Sequence, residues 1–285
     1  FVSREFFMPD KFVFQQVDVF AERPLEGNAL AVVCDADDLS DQQMAAFARW
    51  TNLSETTFLL KPTAPAADYR LRIFTPQREL PFAGHPTLGS CQVWLDNGGK
   101  PRGDVVVQEC GAGLVRVRQQ GDLLAFAAPA LVRSGALDQS MLQRITQALG
   151  LRPEQVIASN WVDNGPGWVG LLLGSRTEVL AIRPDYSQLA GLNIGVIAPW
   201  RGSGAEADVE VRAFMGDESA EDPVTGSLNA SLAQWLIGSG RLPSSYLASQ
   251  GTVIGRRGRV HISSAHDEIW VGGQVQGCIS GTVRL

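Results

Sequence analysis

Short apolar, β-rich runs set off by polar and turn residues dominate the chain, interrupted by a few stretches with helical spacing. Phe12 to Phe20 and Ala29 to Cys34 are rich in β-favouring residues, and Pro24-Leu25-Glu26-Gly27-Asn28 between them carries turn chemistry, so a hairpin is expected. Ser40 before Asp41-Gln42-Gln43 has the form of a capping box, and Met44, Phe47 and Ala48 follow at helical spacing; this predicts a helix from about Ser40 to Thr51. Glu55 to Leu60 and Tyr69 to Phe74 read as strands. Pro81 to Gly84 then turns into a second helix that runs to about Trp94 and stops at Asn97-Gly98-Gly99. Val105 to Ala127 has the pattern of a three-strand meander.

From Leu137 the pattern begins again. A helix to Leu149 is followed by strands near Val156 to Val162, Trp168 to Leu173 and Val179 to Ile182, then a helical turn after Asp185. Strands near Asn193 to Ile197 and Val209 to Phe214 precede a helix from about Gly226 to Ile237, and strands fill the rest. Pro81-Phe82-Ala83-Gly84-His85 and Pro223-Val224-Thr225-Gly226-Ser227 each lead into an apolar helix with a glycine stop, Asn97-Gly98-Gly99 in one and Gly238-Ser239-Gly240 in the other. Such a match also arises between two ordinary glycine-flanked helices, but it predicts two copies of one strand-rich unit, each wrapped around a helix.

With 285 residues, 45% hydrophobic and 19% charged, the chain can bury a sizeable core without staples. Its net charge of -6 is dispersed and no basic stripe occurs, which argues against nucleic-acid and anionic-membrane partners. Cys34, Cys91, Cys110 and Cys278 are scattered, without a CxxC pair or a histidine at metal-ligand spacing, so reduced thiols, no metal and a cytoplasmic setting are expected. Phe1 to Lys11 lacks the apolar core of a signal peptide, and no apolar run is long enough to span a membrane.

The two glycine-led helix starts draw attention because helix N-termini present unpaired N–H groups and a positive dipole end. Aimed at one cleft, Gly84 and Gly226 would hold a carboxylate or a developing enolate; either glycine can equally serve a tight turn. His85 lies in the first turn of its helix, where a neutral imidazole is expected, either as a satisfied core residue or as part of a site. Asp222 either caps the second helix or pairs with His85 across the cleft. Glu55, at the mouth of an apolar strand, is an acid of a kind usually just solvated. To take a proton from carbon it would need an apolar cleft to raise its pKa from about 4.3.

Six ordered segments carry a family resemblance. They are Asp18-Val19-Phe20-Ala21 with Gly27-Asn28, Asp35-Ala36-Asp37-Asp38-Leu39-Ser40, Asn52-Leu53-Ser54-Glu55-Thr56-Thr57-Phe58, Arg72-Ile73-Phe74-Thr75-Pro76, Glu79-Leu80-Pro81-Phe82-Ala83-Gly84-His85-Pro86 and Glu221-Asp222-Pro223-Val224-Thr225-Gly226-Ser227. Together they resemble the PhzF family of phenazine-biosynthesis isomerase-like proteins. The resemblance implies an α/β (α+β) diaminopimelate-epimerase-like fold with two pseudo-symmetric lobes, each a curved sheet around a central helix. The expected lobes are 1–127, completed by a strand at 277–285, and 128–276. It also implies Glu55 as the acid/base, with His85 and Asp222 beside it, and Asn28, Ser54, Gly84, Gly226 and Ser227 as substrate contacts. The implied enzyme is a cofactor-independent isomerase, a homodimer acting on a small anionic substrate, with trans-2,3-dihydro-3-hydroxyanthranilate the best-known case.

Racemases of similar fold carry a cysteine before each helix-start glycine; here those positions are Ala83 and Thr225, which disfavours two-thiol racemisation. Two other readings stay open. One is an isomerase or lyase of the same family acting on a different carboxylate, with Asn164 to Trp168 and Pro199 to Arg201 among the residues that would choose it. The other is a non-enzymatic binding protein that retains the fold.

Overall fold

A computed structural model describes residues 11–266 and 268–285; the reading of the chain's start as no signal peptide concerns residues that lie almost wholly outside them. Among the described residues five α-helices punctuate the strands: α1 (Asp41–Thr51), α2 (Gly84–Asp96), α3 (Gln139–Leu149), α4 (Arg176–Ala181) and α5 (Gly226–Gly238). The capping box on α1 is formed, with Ser40 Oγ accepting from the Gln43 amide and Gln43 Oε1 accepting from the Ser40 amide at 3.0 Å. Most expected strands are in place, including the hairpin of Lys11–Val19 with Asn28–Val33 and the meander of Val106–Cys110, Gly113–Gln120 and Leu123–Ala127.

One expected strand is a helix. Val179 to Ile182 falls in and just after α4, whose N-cap is Ser175, with its Oγ accepting from the Glu178 amide. Val179 and Ile182 are both buried, and their apolar run mimics a short strand where the preceding Ser-x-x-Glu already signals a helix start. Three very short strands had no readable pattern: Glu79–Leu80, Arg133–Gly135 and Ala220–Asp222.

The order of strand pairings occurs twice. In the first half, Asn28–Val33 runs antiparallel to Lys11–Val19 and, across α1, parallel to Glu55–Leu60. Glu55–Leu60 is antiparallel to Tyr69–Phe74, which pairs with Glu79–Leu80 and, across α2, parallel with Val106–Cys110. In the second half, Trp168–Leu173 runs antiparallel to Val156–Asp163 and, across α4, parallel to Asn193–Pro199. Asn193–Pro199 is antiparallel to Val209–Met215, which pairs with Ala220–Asp222 and, across α5, parallel with Ser245–Gln250. Each half lends its last strand to the other. Arg133–Gly135 pairs with Val156–Asp163, and Val275–Arg284 pairs with Lys11–Val19. Leu123–Ala127 and Glu268–Gly273 join the halves edge to edge.

The duplication extends to side chains. Arg72 forks onto Glu79, with Nε and Nη2 each donating at 2.7 Å, and Arg212 forks onto Glu221 at 3.0 and 2.7 Å. Each pair locks the two-strand turn that delivers the chain to the next helix. Arg212 also donates from Nη1 to the Val179 and Ile182 carbonyls at the end of α4, whereas Arg72 uses its Nη1 on Asp41 at the start of α1.

Helices α2 and α5 are apolar on nearly every face and are wrapped by strands, as a helix without a polar face must be. They meet at their N-termini. A Cβ built on Gly84 would lie 3.1 Å from the Gly226 Cα and 2.7 Å from the Phe126 ring, and one on Gly226 would lie 3.1 Å from the Gly84 Cα. Only glycine permits this approach. Gly84→Ala is therefore expected to cost about 1–3 kcal/mol in urea unfolding. Gly103→Ala, where a Cβ meets nothing within 4 Å, is the control and should be near neutral. Equal stability of the two variants would contradict the contact.

Candidate active site

Where the two helix starts meet, the chain gathers a small polar cluster from both halves. Asn52 adopts a left-handed conformation at the end of α1, with φ 54°, and turns the chain so that Glu55 opens the next strand beside the buried Thr56 and Thr57. Glu55 Oε2 lies 3.4 Å from His85 Nε2, and neither atom has a hydrogen-bond partner in the protein. Burial pushes the Glu55 carboxyl up to about 8, with the Asp222 charge adding to the rise. Burial drives His85 the other way, down to about 3, opposed only weakly by the Ala29 carbonyl. At neutral pH the imidazole is uncharged, as its place at a helix N-terminus requires.

Asp222 belongs to the second half. Its Oδ2 accepts from Thr225 Oγ1 at 2.5 Å and its Oδ1 from Asn28 Nδ2 at 3.1 Å. Burial raises its pKa to about 6, while the Thr225 and Asn28 donors hold it below Glu55. Both sequence-based readings of Asp222 are corrected. It does not cap α5, whose N-cap residue Thr225 has no side-chain cap, because its carboxylate takes the Thr225 hydroxyl instead of a helix amide. Nor does it touch His85 directly. Asn28 stands between them, its Nδ2 also donating to the Val224 carbonyl at 3.0 Å and lying 3.5 Å from His85 Nδ1.

Gly84 and Gly226 are the first residues of α2 and α5, and neither helix has a side-chain cap on its leading N–H groups. Ser227 Oγ accepts from Trp168 Nε1 at 3.0 Å, and the Ser227 carbonyl accepts from Asn164 Nδ2 at 2.9 Å. The Asn164 to Trp168 segment thus reaches the helix start. Trp200 of the Pro199 to Arg201 segment instead lies under the Arg176 guanidinium, 3.8 Å from its ring centroid. Ser54 is exposed beside Glu55. Sequence reasoning missed Thr225 and Gln250 as members of the polar network, and nothing in the residues around Gln250 signals its role.

The arrangement offers one carboxyl without hydrogen-bond partners, one hydrogen-bonded carboxylate, a neutral imidazole and two open helix ends. Such a set can move a proton and stabilise a small anion. Among the described residues no three His, Cys, Asp or Glu side chains are placed to hold a metal, and no helix is long and apolar enough to cross a membrane.

The family model described as phenazine biosynthesis-like protein (PhzC-PhzF) matches residues 17–278. Antisense-enhancing sequence 1 of Schizosaccharomyces pombe is 37% identical over 288 residues, covering 94% of this chain and 97% of that protein. Trans-2,3-dihydro-3-hydroxyanthranilate isomerase of Pseudomonas aeruginosa is 34% identical over 255 residues, covering 86% and 87%. A PhzF-family protein of Enterococcus faecalis superposes with a TM-score of 0.80 at 25% identity, covering 97% of this chain and 100% of its own. A hydroxyproline epimerase of Agrobacterium vitis superposes with a TM-score of 0.58 at 16% identity, covering 96% and 93%, a likeness of fold alone. The fold is the diaminopimelate-epimerase-like one.

The raised Glu55 pKa has a stability consequence. A carboxyl that titrates near 8 when folded, against an ordinary 4.5, favours the folded state least once it must ionise. Its contribution falls as pH rises from about 4.5 to about 8. Glu55→Gln is expected to unfold at higher urea than the wild type at pH 9, with the gap closing toward pH 5. Parallel pH profiles for the two proteins would show Glu55 to be solvated.

Proposed function

The chain belongs to the phenazine biosynthesis-like family, and on that premise we propose that it is a cofactor-independent isomerase in which Glu55 alone removes and returns a substrate proton. The observation that carries this reading is the isolation of Glu55: a carboxyl with a buried oxygen and no hydrogen-bond partner, raised to about 8, facing a neutral imidazole at 3.4 Å. A base of that strength is matched to carbon acids at neutral pH, where roughly a tenth of it is ionised and the rest can act as acid. The residues before the two glycines, Ala83 and Thr225, bear neither thiol nor carboxyl, so the opposite face has no second base there.

The substrate we propose is trans-2,3-dihydro-3-hydroxyanthranilate or a related small carboxylate, on the strength of the relatives named for that reaction. Glu55 would take the C3 proton, the electron pair would delocalise through the diene toward the carboxylate, and the same carboxyl would protonate C1 on the same face. The Gly84 and Gly226 helix ends would carry the growing negative charge. Asn28 and Ser227 would hold the substrate, with Ser54 at the rim.

Proton NMR in D2O tests this directly. Wild-type protein should erase the C3 proton signal and deliver to C1 either that proton or, as far as the Glu55 carboxyl exchanges with solvent before returning it, deuterium, with kcat/KM rising with pH up to about 8 as Glu55 ionises. Glu55→Gln should be slower by about 10³-fold or more. Turnover undiminished in the variant would remove Glu55 from the chemistry, and no turnover by the wild type would exclude this substrate.

A further inference from the structure

Gln250, at the end of the strand Ser245–Gln250, is fully buried beside the Asp222-Pro223-Val224-Thr225 turn, and its amide uses all its bonding capacity there. Its Oε1 accepts from the Thr225 backbone N–H at 3.1 Å and from Asn229 Nδ2 at 2.8 Å. Its Nε2 donates to the Asp222 carbonyl at 3.1 Å and to Thr225 Oγ1 at 2.9 Å.

Two of these partners have only one possible role. A backbone N–H can only donate and a backbone carbonyl can only accept, so the Gln250 amide has a single orientation. Thr225 Oγ1 therefore receives a hydrogen from Gln250, and its own hydrogen is committed to Asp222 Oδ2. The same logic fixes Asn28, whose Nδ2 donates to the Val224 carbonyl and so must also donate to Asp222 Oδ1. Both oxygens of Asp222 thus face hydrogens, and a proton placed on either would weaken the bond that oxygen accepts, so the two donors favour the ionised form. Glu55 faces no such donors; its buried Oε2 is unpartnered.

We propose that Gln250 is a positioning residue: by directing the Thr225 hydroxyl at Asp222 it holds Asp222 as an acceptor-only carboxylate and leaves the mobile proton of the site to Glu55. The charged and titratable groups around Asp222 are Glu221 and Glu218 on its own segment, Glu55 on the facing strand and His85 on α2; Glu221 is itself forked by Arg212. Among the described residues no ion pair joins Asp222 to a lysine or arginine, so against burial and the Glu221 and Glu218 charges only the neutral Thr225 and Asn28 donors favour its ionised form. The inference extends the reading of Glu55 as the proton carrier but needs no substrate.

It is tested in the ligand-free protein by NMR of isotopically labelled Asp and Glu side-chain carboxyl carbons across pH, with Glu55→Gln and Asp222→Asn used for assignment. In the wild type Asp222 should titrate below Glu55. Thr225→Val should move Asp222 upward by about one pH unit, toward or past Glu55. Thr225→Ser, which keeps the hydroxyl, should restore the wild-type order, and Gln250→Met should act in the direction of Thr225→Val. If Gln250→Met fails to fold, Gln250→Asn, whose shorter side chain withdraws the amide from Thr225 Oγ1, takes its place, and Asp222 unmoved in the Gln250 variant that folds would overturn the proposal. Asp222 titrating unchanged in Thr225→Val, or displaced as far in Thr225→Ser, would overturn the proposal. Because no turnover is read, a failure of the proposed reaction would leave these titrations interpretable on their own.

Discussion

The contact between the N-termini of α2 and α5 is the constraint on which the rest of the molecule depends. Two helices meeting positive end to positive end is unfavourable, since each end carries roughly half an elementary charge. The approach is possible only because Gly84 and Gly226 lack side chains, and it persists because both helices are apolar rods that the surrounding strands hold in place. Negative charge at the junction offsets the dipole repulsion. Asp222, with a pKa of about 6, supplies one such charge at neutral pH, which gives a physical reason for a buried carboxylate without a cationic partner. A bound anion would supply another.

Duplication produces the geometry twice and the chemistry once. Aligning the two halves by their strand registers puts Arg72 with Arg212, Glu79 with Glu221, and Leu80 with Asp222. The same alignment puts Glu55 with Asn193, each opening its strand. Asn193 spends its amide on the Pro166 carbonyl at 2.7 Å, while Glu55 is left without a hydrogen bond. Likewise the first half offers an apolar Leu80 where the second offers the fixed anion. The forked Arg–Glu pairs that build the frame occur in both copies, whereas the proton-active groups divide between them. Glu55 and His85 come from one copy and Asp222 from the other, so the site exists only when the halves are joined.

Much of this was legible in the chain because local chemistry and tertiary structure agree along most of its length. The Ser40 capping box, the glycine-led helix starts and the run of β-favouring residues in Glu55–Leu60 each specify their own element. The Val179 to Ile182 segment was misread because four apolar residues fit a strand as well as one helical turn, and only the Ser175 cap separates the two. The gathering of Glu55, His85, Asn28 and Asp222 was accessible through the family resemblance, not through spacing. The contact of Gln250 with the Asp222 to Thr225 turn was not readable at all, because a polar residue at the end of a strand has no local signature of what it will face after folding.

Desolvation at the junction acts on three titratable groups with opposite results, and the hydrogen bonds decide how the charge is shared. Removing water favours the neutral form of every member: a protonated Glu55, a protonated Asp222 and an unprotonated His85. Asp222 rises only to about 6 because two donors point at it, Glu55 reaches about 8 because none does, and His85 falls to about 3 because burial disfavours its charged form and only the Ala29 carbonyl opposes the fall. The resting site therefore holds one negative charge at one address and one exchangeable proton at another. An imidazole that cannot accept that proton stands 3.4 Å away, so the proton has no stable resting place except Glu55 or a substrate carbon. Burial, which at most positions would only cost stability, is here what makes a glutamate into a base of the strength that carbon chemistry requires.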